Sequence, residues 1–198
     1  MTLTKDDIIT LPNANLREKS QRIREIDDDV NALIDDMTAA AIDWEDSRPH
    51  EISAALAAVQ IDRLQRVIIV RSNFEDKEDR DFTTLINPEI VKYEGEIVSD
   101  YEGCLSVKNV YGNVPRHTKI RVKAIDVEGN EVRFKADGFL ARVIQHEIDH
   151  CNGIVFIDHI RDQHNAFYRL DEKGELQPLD YNEHIKANAD LWPAEIDE

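Results

Sequence analysis

The sequence is poor in cysteine, in long apolar runs and in positive charge, and each shortage excludes a class of protein. Cys104 and Cys151 are the only cysteines among 198 residues, which is too few for a disulfide framework. No apolar run approaches the roughly 20 residues that a membrane helix needs. The N-terminus lacks the basic and then apolar pattern of a signal peptide. We therefore expect a cytoplasmic protein with reduced cysteines and no membrane contact.

Positive charge is scarce relative to negative charge. The chain has 24 Lys and Arg against 41 Asp and Glu, a net charge of -17. Such a surface repels phosphate groups, so we expect no direct binding of nucleic acid or of anionic lipid. With 41% hydrophobic and 33% charged residues, the composition is typical of a globular domain with a substantial core.

The order of predicted elements favours an α+β fold. Apolar residues at helical spacing predict one helix over 27–43, followed by a polar loop over 44–51. A second helix begins after Asp137, its predicted N-cap, and ends near Asn152 and Gly153. Strands are predicted over 66–70, 83–86, 89–98, 118–127 and 131–135. This order predicts antiparallel or mixed sheets packed around the second helix.

The domain is expected to span residues 1–170. Residues 171–198 are polar and acidic, and we expect a C-terminal extension that is partly disordered. A turn signal at 172–174 predicts a small hairpin within it, and 187–198 are expected to be loosely ordered.

The strongest chemical signal lies on the second helix, over residues 146–150 (HEIDH). His146 and His150 are four residues apart, so both rings can reach one metal ion from the same helix face. Glu147 lies between them and can move a proton to or from a water molecule at that ion. The alternative is a helix that carries these residues by chance.

A catalytic ion usually has three protein ligands and one open position. Asp158, His159 and Glu172 lie downstream of the two histidines but have no matching context. Cys104 lies upstream, and a thiolate is a strong ligand for a soft or borderline ion. Taken alone, Cys104 could equally be a small buried hydrophobic residue.

At this point the chain resembles peptide deformylases. Residues 102–106 (EGCLS) and 145–150 (QHEIDH) match two motifs of that family completely, and residues 53–60 (SAALAAVQ) match the second half of a third. The first half of that motif has glycines where Ser53 and Ala55 stand here. Similarity extends from about residue 8 to about residue 160.

The resemblance implies the metal centre. Cys104, His146 and His150 match the metal ligands, and Glu147 matches the general acid/base. Glu102 and Arg116 match a buried ion pair that steadies the Cys104 loop. The family's ion is one divalent metal, Fe(II) in the cell, which Zn, Ni or Co can replace. The residue types alone fit iron and zinc equally.

The resemblance also implies a substrate, the N-terminal formyl-methionine of newly made polypeptides, and hence transient proximity to the ribosome. Gln60 and the backbone N–H of Leu105 match the donors that stabilise charge on the formyl oxygen. The residues that match the substrate cleft are Ser53, Ala54, Ala55, Phe139, Arg142 and Val143. For the last three, simple helix packing is an equal alternative.

The two replaced glycines leave two questions open. If either position requires a positive φ, Ser53 or Ala55 would be strained. If both are extended, the replacements narrow the cleft and leave the chemistry intact, which is the reading we prefer. The rival functions are a metal-binding protein that has lost turnover and an H-E-x-x-H endopeptidase, which would leave residues 102–106 unexplained.

Overall fold

The computed structural model describes residues 2–48 and 51–192. Within these ranges the chain forms two α-helices and seven strands, and the strands join in one antiparallel sheet. Their order is β1-β2-β3-β4-β6-β7, and β5 also pairs with β4. The bounds are α1 Asp28–Asp46, β1 Ala55–Ala57, β2 Val67–Arg71, β3 Phe82–Cys104, β4 Val107–Ile125, β5 Glu131–Asp137, α2 Gly138–Cys151, β6 Phe167–Leu170 and β7 Leu176–Pro178. The predicted α+β class is confirmed.

Helix α1 begins as predicted, because the Asp27 carboxylate accepts the N–H of Val30 over 3.0 Å and caps the first turn. Its apolar stripe, including Val30 and Met37, is buried. The helix continues to Asp46, so the prediction of a loop from residue 44 was wrong. Glu45 explains the difference, because it is only 1% exposed. Its carboxylate pairs with the buried Arg71 side chain, which holds Glu45 in the last turn of the helix.

Strands β3 and β4 form one long hairpin, which is the largest departure from the predicted strands. The sequence predicts separate strands over 83–86 and 89–98, whereas β3 runs without interruption from Phe82 to Cys104. Asn87 and Gly95 adopt positive φ, and the register with β4 shifts near both. These residues bend the strand instead of ending it. The hairpin turns after Cys104, which is paired with Val107.

Helix α2 packs against the sheet and carries the central apolar stripe. Ile144, Ile148 and Cys151 are buried in one cluster with residues of β1, β2 and β4. Burial raises the pKa of the Cys151 thiol to about 12, which agrees with a core role for this cysteine. Asp137 precedes the helix, but its carboxylate makes no capping hydrogen bond and lies 3.3 Å from Lys119 Nζ instead.

The C-terminal stretch packs on the same domain as far as residue 192. Strands β6 and β7 form the hairpin predicted at 172–174 and join the sheet through β4. Ile185 and Leu191 are buried in a cluster that also contains Val114 and Phe156. The structure therefore gives the described part of the predicted extension a fixed place. Residues 193–198 lie outside the described ranges. No helix in those ranges is long and apolar enough to span a membrane.

Candidate metal centre

The hairpin tip and helix α2 bring Cys104, His146 and His150 together. One potential ligand atom from each residue lies within 4.8 Å of the other two, and Cys104 Sγ is 3.2 Å from His150 Nε2. Both histidines are buried, and Cys104 is half-buried. A thiolate with two imidazoles suits a borderline divalent ion such as zinc or iron. The spacing and the donor set of these residues therefore fit a metal ion.

Glu102 orients the first of the two histidines. Glu102 Oε2 lies 3.0 Å from His146 Nδ1, so the other ring nitrogen of His146 faces the centre. Although burial opposes its ionisation, hydrogen bonds from His146 and Arg116 hold the pKa of Glu102 well below its usual range. His150 differs, because its Nδ1 is buried without a hydrogen-bond partner in the described chain.

Two arginines hold Glu102 in place. Arg116 Nε and Nη2 donate to the two carboxylate oxygens over 2.9 and 3.0 Å, which is a bidentate geometry within the ion pair that the resemblance to deformylases implies. Arg142 Nη1 also donates to Glu102, over 2.7 Å, and its guanidinium reaches the carbonyls of Val98 and Val114, each over 2.7 Å. Arg142 thus ties α2 to both strands of the long hairpin.

Arg142 shows where the sequence reasoning was incomplete. It does line the cavity in front of the centre, as a substrate-pocket residue would. Its guanidinium, however, is committed to Glu102 and to backbone carbonyls. The available signal was its place on α2, four residues before His146, which puts both side chains on one helix face.

Glu147 is placed to exchange protons at the centre. It is 5% exposed, and its Oε2 is buried without a partner in the described part of the chain. Burial raises the pKa of Glu147 to about 7. A carboxylate with a free oxygen and a pKa near neutrality can both accept and return a proton. A water molecule beside a bound ion would be able to hydrogen-bond to this unpartnered oxygen.

Gln60 and Leu105 lie beside Cys104 in the wall of the cavity. The Gln60 side chain is fixed at one end, because its Oε1 accepts the N–H of Ala57 over 2.9 Å. Its Nε2 lies 3.6 Å from Cys104 Sγ and 3.1 Å from Ser106 Oγ. Leu105 lines the cavity beside Cys104. The amide of Gln60 is therefore directed at the centre, as an oxyanion donor must be.

A cavity opens in front of these residues. Of the predicted cleft residues, Ala54, Ala55, Phe139, Arg142 and Val143 line it, and Ser53 does not. Ser53 is fully buried behind the wall, so its side chain does not narrow the opening as the sequence led us to expect. No sequence pattern marked the further lining residues, which include Trp44, Ile52, Tyr101 and Tyr111.

The replaced glycines are accommodated without backbone strain. The non-glycine residues with positive φ among those described are Asp62, Asn87 and Asn109, so neither Ser53 nor Ala55 adopts that conformation. Ala55 pairs with Val70 as an ordinary strand residue. Gly103 is the glycine that the site requires, because a Cβ there would lie 2.6 Å from the ring of Tyr111.

Comparisons with known proteins agree with these motifs. Residues 5–166 match the family model described as polypeptide deformylase. The peptide deformylase of Thermomicrobium roseum is 44% identical over 171 residues, covering 85% of this chain and 93% of that one. A Legionella pneumophila peptide deformylase structure is 33% identical with a TM-score of 0.70, covering 80% and 86% of the two chains. The Met-Ala-Ser-bound Acinetobacter baumannii enzyme is 29% identical with a TM-score of 0.69, covering 81% and 99%.

Proposed function

The chain belongs to the polypeptide deformylase family, and we propose that Cys104, His146 and His150 hold its metal ion while Glu147 transfers protons. Members of the family are metal-dependent enzymes that remove the formyl group from N-terminal formyl-methionine, and this activity extends to the present chain. The observation that carries the assignment of residues is the convergence of the three ligand atoms within 4.8 Å, beside the unpartnered oxygen of Glu147.

The surrounding residues have separate tasks in the proposed reaction. A bound divalent ion supplies Lewis acidity, which activates water and polarises the formyl carbonyl. Glu147 accepts the proton of the attacking water and returns it to the amine that leaves. The Gln60 amide and the backbone N–H of Leu105 donate to the formyl oxygen as it gains negative charge. Glu102, held by Arg116 and Arg142, keeps His146 oriented.

The finer assignments are also part of the proposal. We propose Fe(II) as the ion in the cell, with Zn, Ni or Co as substitutes. The substrates are N-formylated nascent polypeptides in the cytoplasm, met in transient proximity to the ribosome. Phe139 and Val143 receive the methionine end of the substrate, and Ala54 and Ala55 form the wall beside its backbone.

Formate release from formyl-Met-Ala-Ser tests the proposal, with Fe(II) loaded anaerobically because iron beside a thiolate is prone to oxidation. The wild type should release formate. Glu147→Gln keeps the shape of the side chain and should retain the ion but lose roughly 10²–10⁴-fold in kcat, the usual contribution of a general acid/base. No release by the iron-loaded wild type would instead favour a binding protein without turnover.

An H-E-x-x-H endopeptidase is the rival hydrolase. It predicts cleavage within an unformylated peptide and no dependence of the bound ion on Cys104. The position of Cys104, 3.2 Å from His150, argues against it. Incubation of the loaded protein with an unformylated peptide, followed by mass spectrometry, separates the two activities.

A further inference from the structure

A buried ion pair lies behind the cavity wall, outside the metal centre. Glu45 lies in the last turn of α1 and Arg71 ends β2, and both side chains are 1% exposed. Arg71 Nη1 donates to Glu45 Oε2 over 2.7 Å. Arg71 Nη2 donates to the carbonyl of Lys77, also over 2.7 Å. The pair thus joins α1, β2 and the loop that follows β2.

Both residues also contact the backbone just before β1, Glu45 through its carboxylate and Arg71 through its main chain. Glu45 Oε2 accepts the N–H of Ser53 over 2.8 Å. The backbone N–H of Arg71 donates to the carbonyl of Ala54 over 2.8 Å. Strand β1 begins at the next residue and is the edge strand of the sheet. Because Ala54 and Ala55 line the cavity, these two bonds set where its wall lies.

Stability alone does not account for a buried ion pair at this place. Removing two charges from water costs several kcal/mol per ion, and a well-packed apolar pair often stabilises a fold equally well. Charge-assisted hydrogen bonds have direction, however, and apolar contacts do not. The Ser53 hydroxyl is buried without a partner in the described chain, so the hydrogen bond to the Ser53 N–H is what fixes this residue.

We propose that Glu45 and Arg71 are positioning residues for the substrate. They fix the edge strand against which the substrate backbone lies, because an exposed strand edge can accept an extended peptide as an added strand. The effect concerns residues beyond the methionine, and the ion and Glu147 do not depend on it. This inference rests on the proposed function, since it assumes that a peptide occupies the cavity.

The test compares two substrates in a double variant that removes both charges together, so that no unpaired charge stays buried. In E45L/R71M, the KM for formyl-Met-Ala-Ser should rise roughly tenfold, as expected when one or two backbone hydrogen bonds are misplaced. Formyl-methionine has no following residues, so its kcat and KM should stay close to wild type. Metal content should also be unchanged.

Two further variants separate positioning from general structure. E45Q/R71M keeps an oxygen that can accept a hydrogen bond from the Ser53 N–H. Its KM for the tripeptide should therefore lie close to the wild-type value. D46N/R80Q removes the neighbouring surface ion pair between Asp46 and Arg80, whose side chains are 53% and 34% exposed. This matched control should leave both substrates unaffected.

The outcomes decide the proposal in each case. Equal losses with both substrates, or unchanged KM with an intact fold, would overturn it. If E45L/R71M does not fold, the more conservative E45M/R71M decides: a raised KM for the tripeptide alone supports positioning, and an unchanged KM refutes it. Affinity for the product Met-Ala-Ser is measured in parallel by calorimetry. If the wild type releases no formate, a loss of Met-Ala-Ser affinity in E45L/R71M but not in the control D46N/R80Q still supports the proposal. The absence of that loss refutes it.

Discussion

The metal centre and the cavity wall beside it are held in place by different kinds of residue. At the centre, two motif residues bind each other, since Glu102 contacts His146 directly. At the wall, Ser53 and Ala54 are held by Glu45 and Arg71, which belong to no motif. The centre should therefore fail when motif residues are changed, whereas the wall should respond to positions that the motifs do not mark.

Removal of the thiolate should have the largest effect. Cys104→Ala deletes one of three ligands, so we expect the protein to lose its ion on dialysis and formate release to fall more than about 10³-fold. Metal analysis together with the formate assay measures both. Cys151→Ala is the matched control and should keep the ion, because Cys151 lies in the core. Full metal binding by Cys104→Ala would contradict the proposed ligand set.

The two arginines around Glu102 should differ in their effect on stability. Arg116→Met leaves Glu102 and Asp149 without a shared buried partner and should cost about 3–5 kcal/mol. Arg142→Met leaves Glu102 with Arg116 and His146, so about 1–3 kcal/mol is expected. Chemical denaturation measures both values.

The same variant distinguishes the two roles of Arg142. If Arg142 supports the centre, Arg142→Met should lower stability and leave the KM for formyl-Met-Ala-Ser near that of the wild type. A raised KM with unchanged stability would show instead that Arg142 contacts the substrate, as the sequence resemblance implied.

These differences also explain what the sequence could and could not predict. His146 and His150 are four residues apart on one helix, so local periodicity places them together. Cys104 and Glu102 required the family resemblance, because the long hairpin that delivers them is a tertiary feature. Pro88 suggested a strand end, yet a register shift absorbs it within β3.

No sequence pattern marks Glu45 and Arg71 as the residues that support the cavity wall. Glu45 falls within the polar stretch 44–51 and looks like a solvated loop residue. Arg71 follows an apolar strand and looks like an exposed strand end. They are 26 residues apart and meet only because α1 packs against β2. Neither periodicity nor spacing marks such a pair, so its position could be found only in the folded chain.

Removal of the ion should make stability depend on pH through Glu147. Burial raises the pKa of Glu147 from 4.5 to about 7, because the fold favours the neutral carboxyl group. The stability that this neutral group contributes is complete below about pH 4.5 and is lost as the pH rises through about 7. The difference of 2.5 between 7 and 4.5 corresponds to about 3 kcal/mol at pH 8. Glu147→Gln should lack this loss.

Chelator-treated samples denatured at pH 5 and pH 8 provide the measurement. The fall in the free energy of unfolding between the two pH values should be larger for the wild type than for Glu147→Gln. Equal falls would show that Glu147 ionises freely in the metal-free fold. Such a result would mean that water reaches the Glu147 carboxyl group, as it reaches the cavity wall.

The smallest effect should come from restoring the two glycines, and it should separate them. Ala55 lines the cavity, whereas Ser53 lies buried behind it. Ala55→Gly should therefore change the KM for formyl-Met-Ala-Ser by a few-fold, since it widens the wall and loosens the edge strand. Ser53→Gly keeps the N–H that Glu45 accepts, so its KM should remain near that of the wild type. If Ser53→Gly had the larger effect, the hydroxyl rather than the backbone would be what sets the wall.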